Sequence, residues 1–182
     1  MDYVLEDNPF IGAMGLISRE GIKKPAYNAY KFLAQLGHEQ LALTAQGPGG
    51  VNGLAARDPN GSVQVLLYNG QSPGLGFRND MYYTSAAAQP VSITIDGLNP
   101  STAYDVTTSR VDETHGNSFA VWNSQGRPPM SQMTDAQWQA LRDGAESPAE
   151  PLGQALCGSS VKLNLQLSSP GVFLLKLTPA VR

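Results

Sequence analysis

The sequence predicts a mainly β fold, an antiparallel β-sandwich with a short inserted helix and one further helix ahead of the strands. Three observations predict it. Short apolar segments alternate with a period of two, clusters of Gly, Pro, Asn and Ser separate them, and only two stretches carry the three-to-four spacing of a helix. The 182 residues include 19 glycines and 13 prolines, a frequency that calls for many turns and short strands. Hydrophobic residues make up 41% and charged residues 15%, enough apolar material for a core and too little charge for a disordered chain.

The N-terminal stretch Asn8-Pro9-Phe10-Ile11-Gly12-Ala13-Met14-Gly15-Leu16-Ile17 sets tight backbone beside apolar groups. Ser18 to Lys24 is a polar turn. Pro25 suits the first turn of a helix, where its missing N–H costs nothing. Ala26 to Leu36 is then the clearest helix, with Ala26, Tyr30, Leu33 and Leu36 on one face and Gly37 placed to end it. Burying Tyr27, Tyr30, Phe32 and Leu33 requires a large partner surface.

After Gly37 the period changes. Gln40 to Ala45 reads as a strand and Gln46 to Gly50 as a loop. Val51 to Arg57 and Ser62 to Tyr68 form a hairpin across Asp58-Pro59-Asn60-Gly61, with Val63, Val65 and Leu67 alternating. Asn69 to Asp80 is a loop. Val91, Ile93 and Ile95 alternate in a strand, and Ala103 to Val111 forms the next. Trp122 falls in a short apolar strand. Thr134-Asp135-Ala136-Gln137 has capping-box form, with Met133 and Trp138 at the staple positions. That helix ends near Gly144, before a linker from Glu146 to Pro151. Ser160 to Leu167 and Val172 to Thr178 are expected to pair as a terminal hairpin across Ser168 to Gly171.

Composition excludes several functions. The 12 Lys and Arg are scattered, so no basic patch points to nucleic acid or an anionic membrane surface. No apolar run approaches the roughly 20 residues that span a bilayer. The single cysteine, Cys157, permits no intrachain disulfide and no metal site built on several cysteines. With only His38 and His115, a zinc site would need carboxylates at unusual spacing, and neither metal nor cofactor is expected. Met1 to Asp7 lacks the basic and apolar regions of a signal peptide.

The chemistry-bearing candidates are few. Asp112, Glu113 and His115 could serve acid–base work or ligate a metal, or Asp112 and His115 could hydrogen-bond a tight turn at Gly116-Asn117. Adjacent residues on a strand point to opposite faces, so Asp112 and Glu113 should not converge. Tyr82 and Tyr83, with Pro73, Phe77 and Arg78 from the loop before them, could form a sugar-stacking platform. Trp122 and Trp138 fit core packing better. Lys23-Lys24 reads as a solvated turn, and Asn28 and Ser18 as surface. Cys157 has no base in sequence reach, Ser159-Ser160 lacks a Gly-x-Ser-x-Gly setting, and Gly47 to Gly50 lacks the lysine of a phosphate loop.

Two stretches carry a family resemblance. Asn8 to Gly37, with Phe10-Ile-Gly-Ala-Met-Gly-Leu16, Lys24-Pro25 and an aromatic helix ending in Leu36-Gly37, resembles the last barrel loop and last helix of glycoside hydrolase family 39, the β-xylosidase and α-L-iduronidase family. Arg110-Val-Asp-Glu-Thr-His-Gly-Asn-Ser-Phe-Ala-Val-Trp-Asn-Ser-Gln-Gly-Arg-Pro128 is similar to its Asp-x-x-His-x-Asn segment, which leads to a Trp, a Gly-x-Pro turn and a short capped helix. Family members usually have Gly-Gly-Phe-Gly where this chain has Gly12-Ala13-Met14-Gly15.

The resemblance implies two parts. Residues 1–37 would be the end of a (β/α)8 barrel, its last loop and helix, and residues 38–182 an accessory β-sandwich. It implies a retaining hydrolase of β-xylosides or related glycosides. Such an enzyme sets two carboxyls about 5–5.5 Å apart across the scissile bond. In the family these are glutamates on earlier barrel strands, one following an Asn. No Asn-Glu dipeptide occurs here, so no catalytic residue is assigned and the isolated chain is expected to be inactive. The resemblance matches Glu6 to a carboxylate that touches sugar hydroxyls. The expected partners are a xylo-oligosaccharide or related glycoside held by the parent barrel, and a barrel fragment or second copy on the 26–36 helix. The alternative is a stand-alone carbohydrate-binding or interaction module.

Overall fold

The computed structural model describes residues 7–10, 15–44, 51–70, 86–155 and 158–180. Helix α1 (Pro25–Leu33) precedes the strands. They run in the order β1 (Glu39–Leu41), β2 (Val51–Arg57), β3 (Val63–Asn69), β4 (Ala86–Asp96) and β5 (Tyr104–Val111). Helix α2 (Ser118–Ser124), a single 3₁₀ turn at Met130–Gln132 and helix α3 (Asp135–Gly144) follow. Strands β6 (Glu150–Ala155), β7 (Ser160–Ser169) and β8 (Gly171–Pro179) close the chain.

Among the described residues the strands form two antiparallel sheets. One has six strands in the order β1-β2-β3-β8-β5-β6, and the other pairs β4 with β7. Their facing sides enclose the main core. Val63, Val65 and Leu67 of β3, Phe173, Leu175 and Leu177 of β8, and Tyr104 and Val106 of β5 meet Ile93 and Ile95 of β4 and Leu167 of β7. Each set lies at alternate positions, as the pleat requires. The outer face of the β4–β7 pair carries exposed Ser92, Thr94, Lys162, Asn164 and Gln166.

A third layer covers the back of the large sheet. Phe32 of α1 is fully buried against Leu66, Leu174 and Val111, residues that point away from the sandwich core. This explains the consecutive apolar residues Val65-Leu66-Leu67 of β3 and Val172-Phe173-Leu174-Leu175 of β8. Both faces of their centre are covered, so strict alternation gives way to a continuous run.

The terminal strands depart from the expected hairpin. β7 pairs with β4 and β8 pairs with β3 and β5, so the Ser168–Gly171 corner carries the chain from one sheet to the other. Both strands turn apolar side chains into the core between the sheets, which suits facing layers rather than neighbours in one layer. A side chain at Gly171 would have its Cβ 2.6 Å from the Ser168 carbonyl oxygen, so the corner has no room for one.

Three further expectations change. Trp122 lies on α2 instead of a strand, and Asn117 caps that helix by accepting from the Ala120 N–H. The expected linker through Pro151 runs into β6, an edge strand paired with β5. The first strand spans only Glu39–Leu41 among the described residues. Helix α3 forms as its capping box indicates. Thr134 accepts from the Gln137 N–H, and the Gln137 side chain accepts from the Thr134 N–H at 2.9 Å. Met133 and Trp138 both pack on the cluster around Leu141.

Candidate functional site

The site begins with how the chain enters α1. The Ser18 hydroxyl oxygen accepts from the Glu20 and Ile22 N–H groups, and the Lys24 N–H donates to the Leu16 carbonyl at 2.9 Å. These bonds fold residues 16–24 into a compact turn that ends at Pro25, where the helix starts. Ser118 at the start of α2 donates to the Lys23 carbonyl at 2.6 Å. Lys23 reaches Glu146 at 2.5 Å and lies over the Tyr27 ring. The hydrogen bond to Glu146 holds the Lys23 ammonium above the usual lysine range.

The helix docks by a polar and an aromatic residue one turn apart. Asn28 is fully buried, and its Nδ2 donates to the carbonyls of Gly116 at 3.1 Å and Ala145 at 2.8 Å. Phe32 enters the sheet layer described above. The sequence places Tyr27, Tyr30, Phe32 and Leu33 inward and Asn28 at the surface. Phe32 is buried as expected, but Asn28 takes the inward place beside it, and Tyr30 and Leu33 stay 60% and 42% exposed in this chain. Leu16 and Ile17 are exposed as well, alongside exposed Arg19 and Lys31. Asn28 and Phe32 are four residues apart, a spacing that could have flagged them as one face.

The exit from α1 is also fastened. Gly37 does not follow the last helical residue. Its role is close approach, because a Cβ there would lie 2.4 Å from the Arg57 carbonyl carbon and oxygen. The Gly37 N–H donates to Gln64, whose own amide donates to Asp58 at 2.7 Å.

The Asp112 cluster is bonded mainly within its own turn, with Ser168 of β7 donating to Asp112 Oδ2 at 3.5 Å. Asp112 Oδ1 takes hydrogen bonds from the N–H groups of Thr114 and His115 and lies 2.8 Å from His115 Nδ1. The Asp112 N–H donates to the His115 carbonyl, and Asn117 donates to the Asp112 carbonyl. Glu113 points to solvent. Burial opposes the Asp112 charge, but hydrogen bonds from His115 and Thr114 outweigh it and hold the carboxyl below its ordinary range. Gly116 completes the turn at φ +59°, a conformation that favours glycine.

A cleft of about 190 Å³ opens beside this turn, lined in part by Arg110, His115, Asp143, Glu146 and Glu150. Its carboxylates are already engaged. Glu150 pairs with Arg110 at 2.6 Å, Glu146 with Lys23, and Asp143 accepts from Gln139. Two of the three are paired with cations and the third with an amide, whereas catalytic acids and bases are set apart by unlike environments. Among the described residues, no group of three or more His, Cys, Asp or Glu is arranged to hold a metal ion. Glu6, the sugar-contact candidate, lies outside the described residues, as do Ala13, Met14, Cys157 and the platform of Pro73, Phe77, Arg78, Tyr82 and Tyr83.

The geometry therefore shows a helix and its lead-in turn bound along one side to a sandwich, with Leu16, Ile17, Tyr30 and Leu33 left exposed. The sequence profile of Glycosyl hydrolases family 39 matches residues 2–158, which includes both parts. The chain belongs to glycoside hydrolase family 39. A β-xylosidase of Geobacillus stearothermophilus is 28% identical over 120 residues, covering 65% of this chain and 20% of that protein. Among solved structures, the family-39 enzyme of Xanthomonas axonopodis pv. citri superposes with a TM-score of 0.80 at 26% identity, over 96% of this chain and 34% of its own. A monomeric β-xylosidase from Caulobacter crescentus CB15 superposes equally well, with a TM-score of 0.80 at 23% identity and the same coverage. The chain thus spans about a fifth of the curated relative and a third of these structures. The part it matches is a C-terminal portion of the family that includes its sandwich.

Proposed function

We propose that this family-39 chain acts as the closing part of a β-xylosidase-like retaining glycosidase. In this reading its sandwich seats against a (β/α)8 barrel that supplies both catalytic glutamates and binds a xylo-oligosaccharide or related glycoside. The observation that carries it is the two-sided helix α1. One side is locked to the sandwich through Asn28 and Phe32, and the other leaves Tyr30 and Leu33 exposed. A last barrel helix needs two such sides, one for the accessory domain and one for the neighbouring barrel elements.

The reaction needs one carboxyl as acid–base and another as nucleophile on opposite sides of the glycosidic bond. The engaged carboxylates of the cleft are poor candidates for that pair. Incubating the purified chain with an aryl β-xyloside is expected to release no phenol. Clear turnover, abolished by replacing one of the chain's own carboxylates, would overturn the reading.

A further inference from the structure

Just ahead of the 16–24 turn, residues 7–10 are gripped at two points by the inserted segment that runs from α2 to α3. Asp7 accepts from the Ser131 N–H at 3.0 Å and from the Ser131 hydroxyl, while the Met130 N–H donates to the Asp7 carbonyl at 3.2 Å. Three residues on, Phe10 is buried in an aromatic trio. Its ring meets Phe119 edge-on at 5.7 Å and Trp122 at 5.7 Å, and those two rings lie 5.8 Å apart. Trp122 is itself fixed, since its indole N–H donates to the Pro128 carbonyl at 2.9 Å. The 128–131 stretch that receives Asp7 and the helix that receives Phe10 are thereby tied together.

This grip joins a short polar stretch to an excursion between β5 and β6, apart from the sheets. Residues 7–10 precede the last barrel helix, and in (β/α)8 enzymes the loops leading into the helices build the catalytic face. We propose that the α2–α3 insertion is a clamp, with Asp7, Ser131 and Phe119 as positioning residues that hold the final barrel loop in register with bound glycoside. The proposal rests on the functional reading above. The accessory domain would then set substrate affinity without contributing a group to the chemistry. Small displacements of a positioning segment are costly, because binding groups act only in a narrow geometry.

The test joins the whole chain behind the barrel of the Caulobacter crescentus β-xylosidase, in place of that enzyme's last third. Asp7→Ala is expected to raise KM for an aryl β-xyloside about tenfold with kcat nearly unchanged, the signature of lost binding common to ground and transition states. Asp7→Asn keeps an acceptor for the Ser131 N–H and should restore most of the affinity. Ile95→Val, which trims the sandwich core far from the clamp, should lower the melting temperature and leave KM alone. An Asp7→Ala variant whose KM does not move, or whose KM moves no more than that of Ile95→Val at equal loss of melting temperature, overturns the clamp.

Should the unmutated hybrid fail to hydrolyse, the functional reading is what falls. Hydrogen exchange on the unmodified chain then judges the clamp. Slow exchange of the 7–10 amides that becomes fast in Asp7→Ala, and stays slow in Asp7→Asn and Ile95→Val, supports it. Equal exchange in all four proteins refutes it.

Discussion

Asn28 on α1 donates through one amide nitrogen to the carbonyl of Gly116, 88 positions later in the chain. The same nitrogen reaches the Ala145 carbonyl at the end of α3. A single buried side chain therefore satisfies main-chain acceptors from two separate elements and fixes α1 against both. Removing it in Asn28→Ala leaves two buried carbonyls without that donor. The expected loss is about 2–4 kcal/mol, from a penalty of roughly 1–3 kcal/mol per unsatisfied buried group. Asn28→Asp should be worse, since it sets a carboxylate against two carbonyl oxygens. Urea denaturation followed by circular dichroism measures both, and a loss below about 0.5 kcal/mol for Asn28→Ala would refute the assignment.

This residue marks where sequence reading failed. Spacing alone put Ala26, Tyr30, Leu33 and Leu36 on one face, and a polar side chain at 28 gave no sign that it would be buried beside Phe32. The sandwich was more legible, because β4 and β7 have one covered face and alternate cleanly. Leu66 and Leu174 interrupt that alternation in β3 and β8, and in the structure they carry the third layer. The β2–β3 pairing was legible from the Asn60-Gly61 turn between them. Partners distant in the chain were not, since period two says which face is buried and not which strand lies alongside. The Asp112 turn was readable from short polar side chains beside a glycine. The grip of Ser131 on Asp7 was not, because 124 positions separate them and neither residue belongs to a periodic pattern.

The two sides of α1 predict opposite mutational outcomes. Phe32 is fully enclosed, and Phe32→Ala should cost about 3–5 kcal/mol through lost burial and a residual cavity. Tyr30 is 60% exposed, and Tyr30→Ser should change stability in this chain by no more than about 0.5 kcal/mol. Thermal melts of the two variants make the comparison. A large loss for Tyr30→Ser would mean that the helix is seated by its other side.

Asp112 predicts the acid limb of stability. Its carboxyl lies below the ordinary value of 3.8 in the folded chain, so the folded state binds that proton more weakly than the unfolded state. The stabilisation is present above about pH 4 and lost as pH falls through the folded value. Asp112→Asn keeps one acceptor and removes the titration. It should be less stable by about 2 kcal/mol at pH 7, the scale of hydrogen bonds to a charged group. Its stability should then fall less steeply than that of the unmodified chain as pH drops from 4 to 2. Parallel curves for the two proteins would contradict the shift.

Gly144 and Val121 mark the contact between α3 and α2. A Cβ on Gly144 would lie 2.4 Å from Val121 Cγ2, far inside van der Waals contact. Intrinsic helix preference favours alanine over glycine by roughly 1 kcal/mol, so an uncrowded Gly144→Ala would stabilise α3. The clash should reverse that sign and destabilise by about 1–3 kcal/mol, the usual cost of overpacking. Val121→Ala alone should also destabilise, by removing apolar contact with the Trp122 cluster. Combining them removes the obstructing methyl groups and lets the new one occupy their space. The double variant should therefore be more stable than Gly144→Ala alone, with a coupling of at least about 1 kcal/mol in a double-mutant cycle. Simple additivity would show that the helices can separate without cost at this crossing, and that the packing of α3 on α2 is looser than the distances imply.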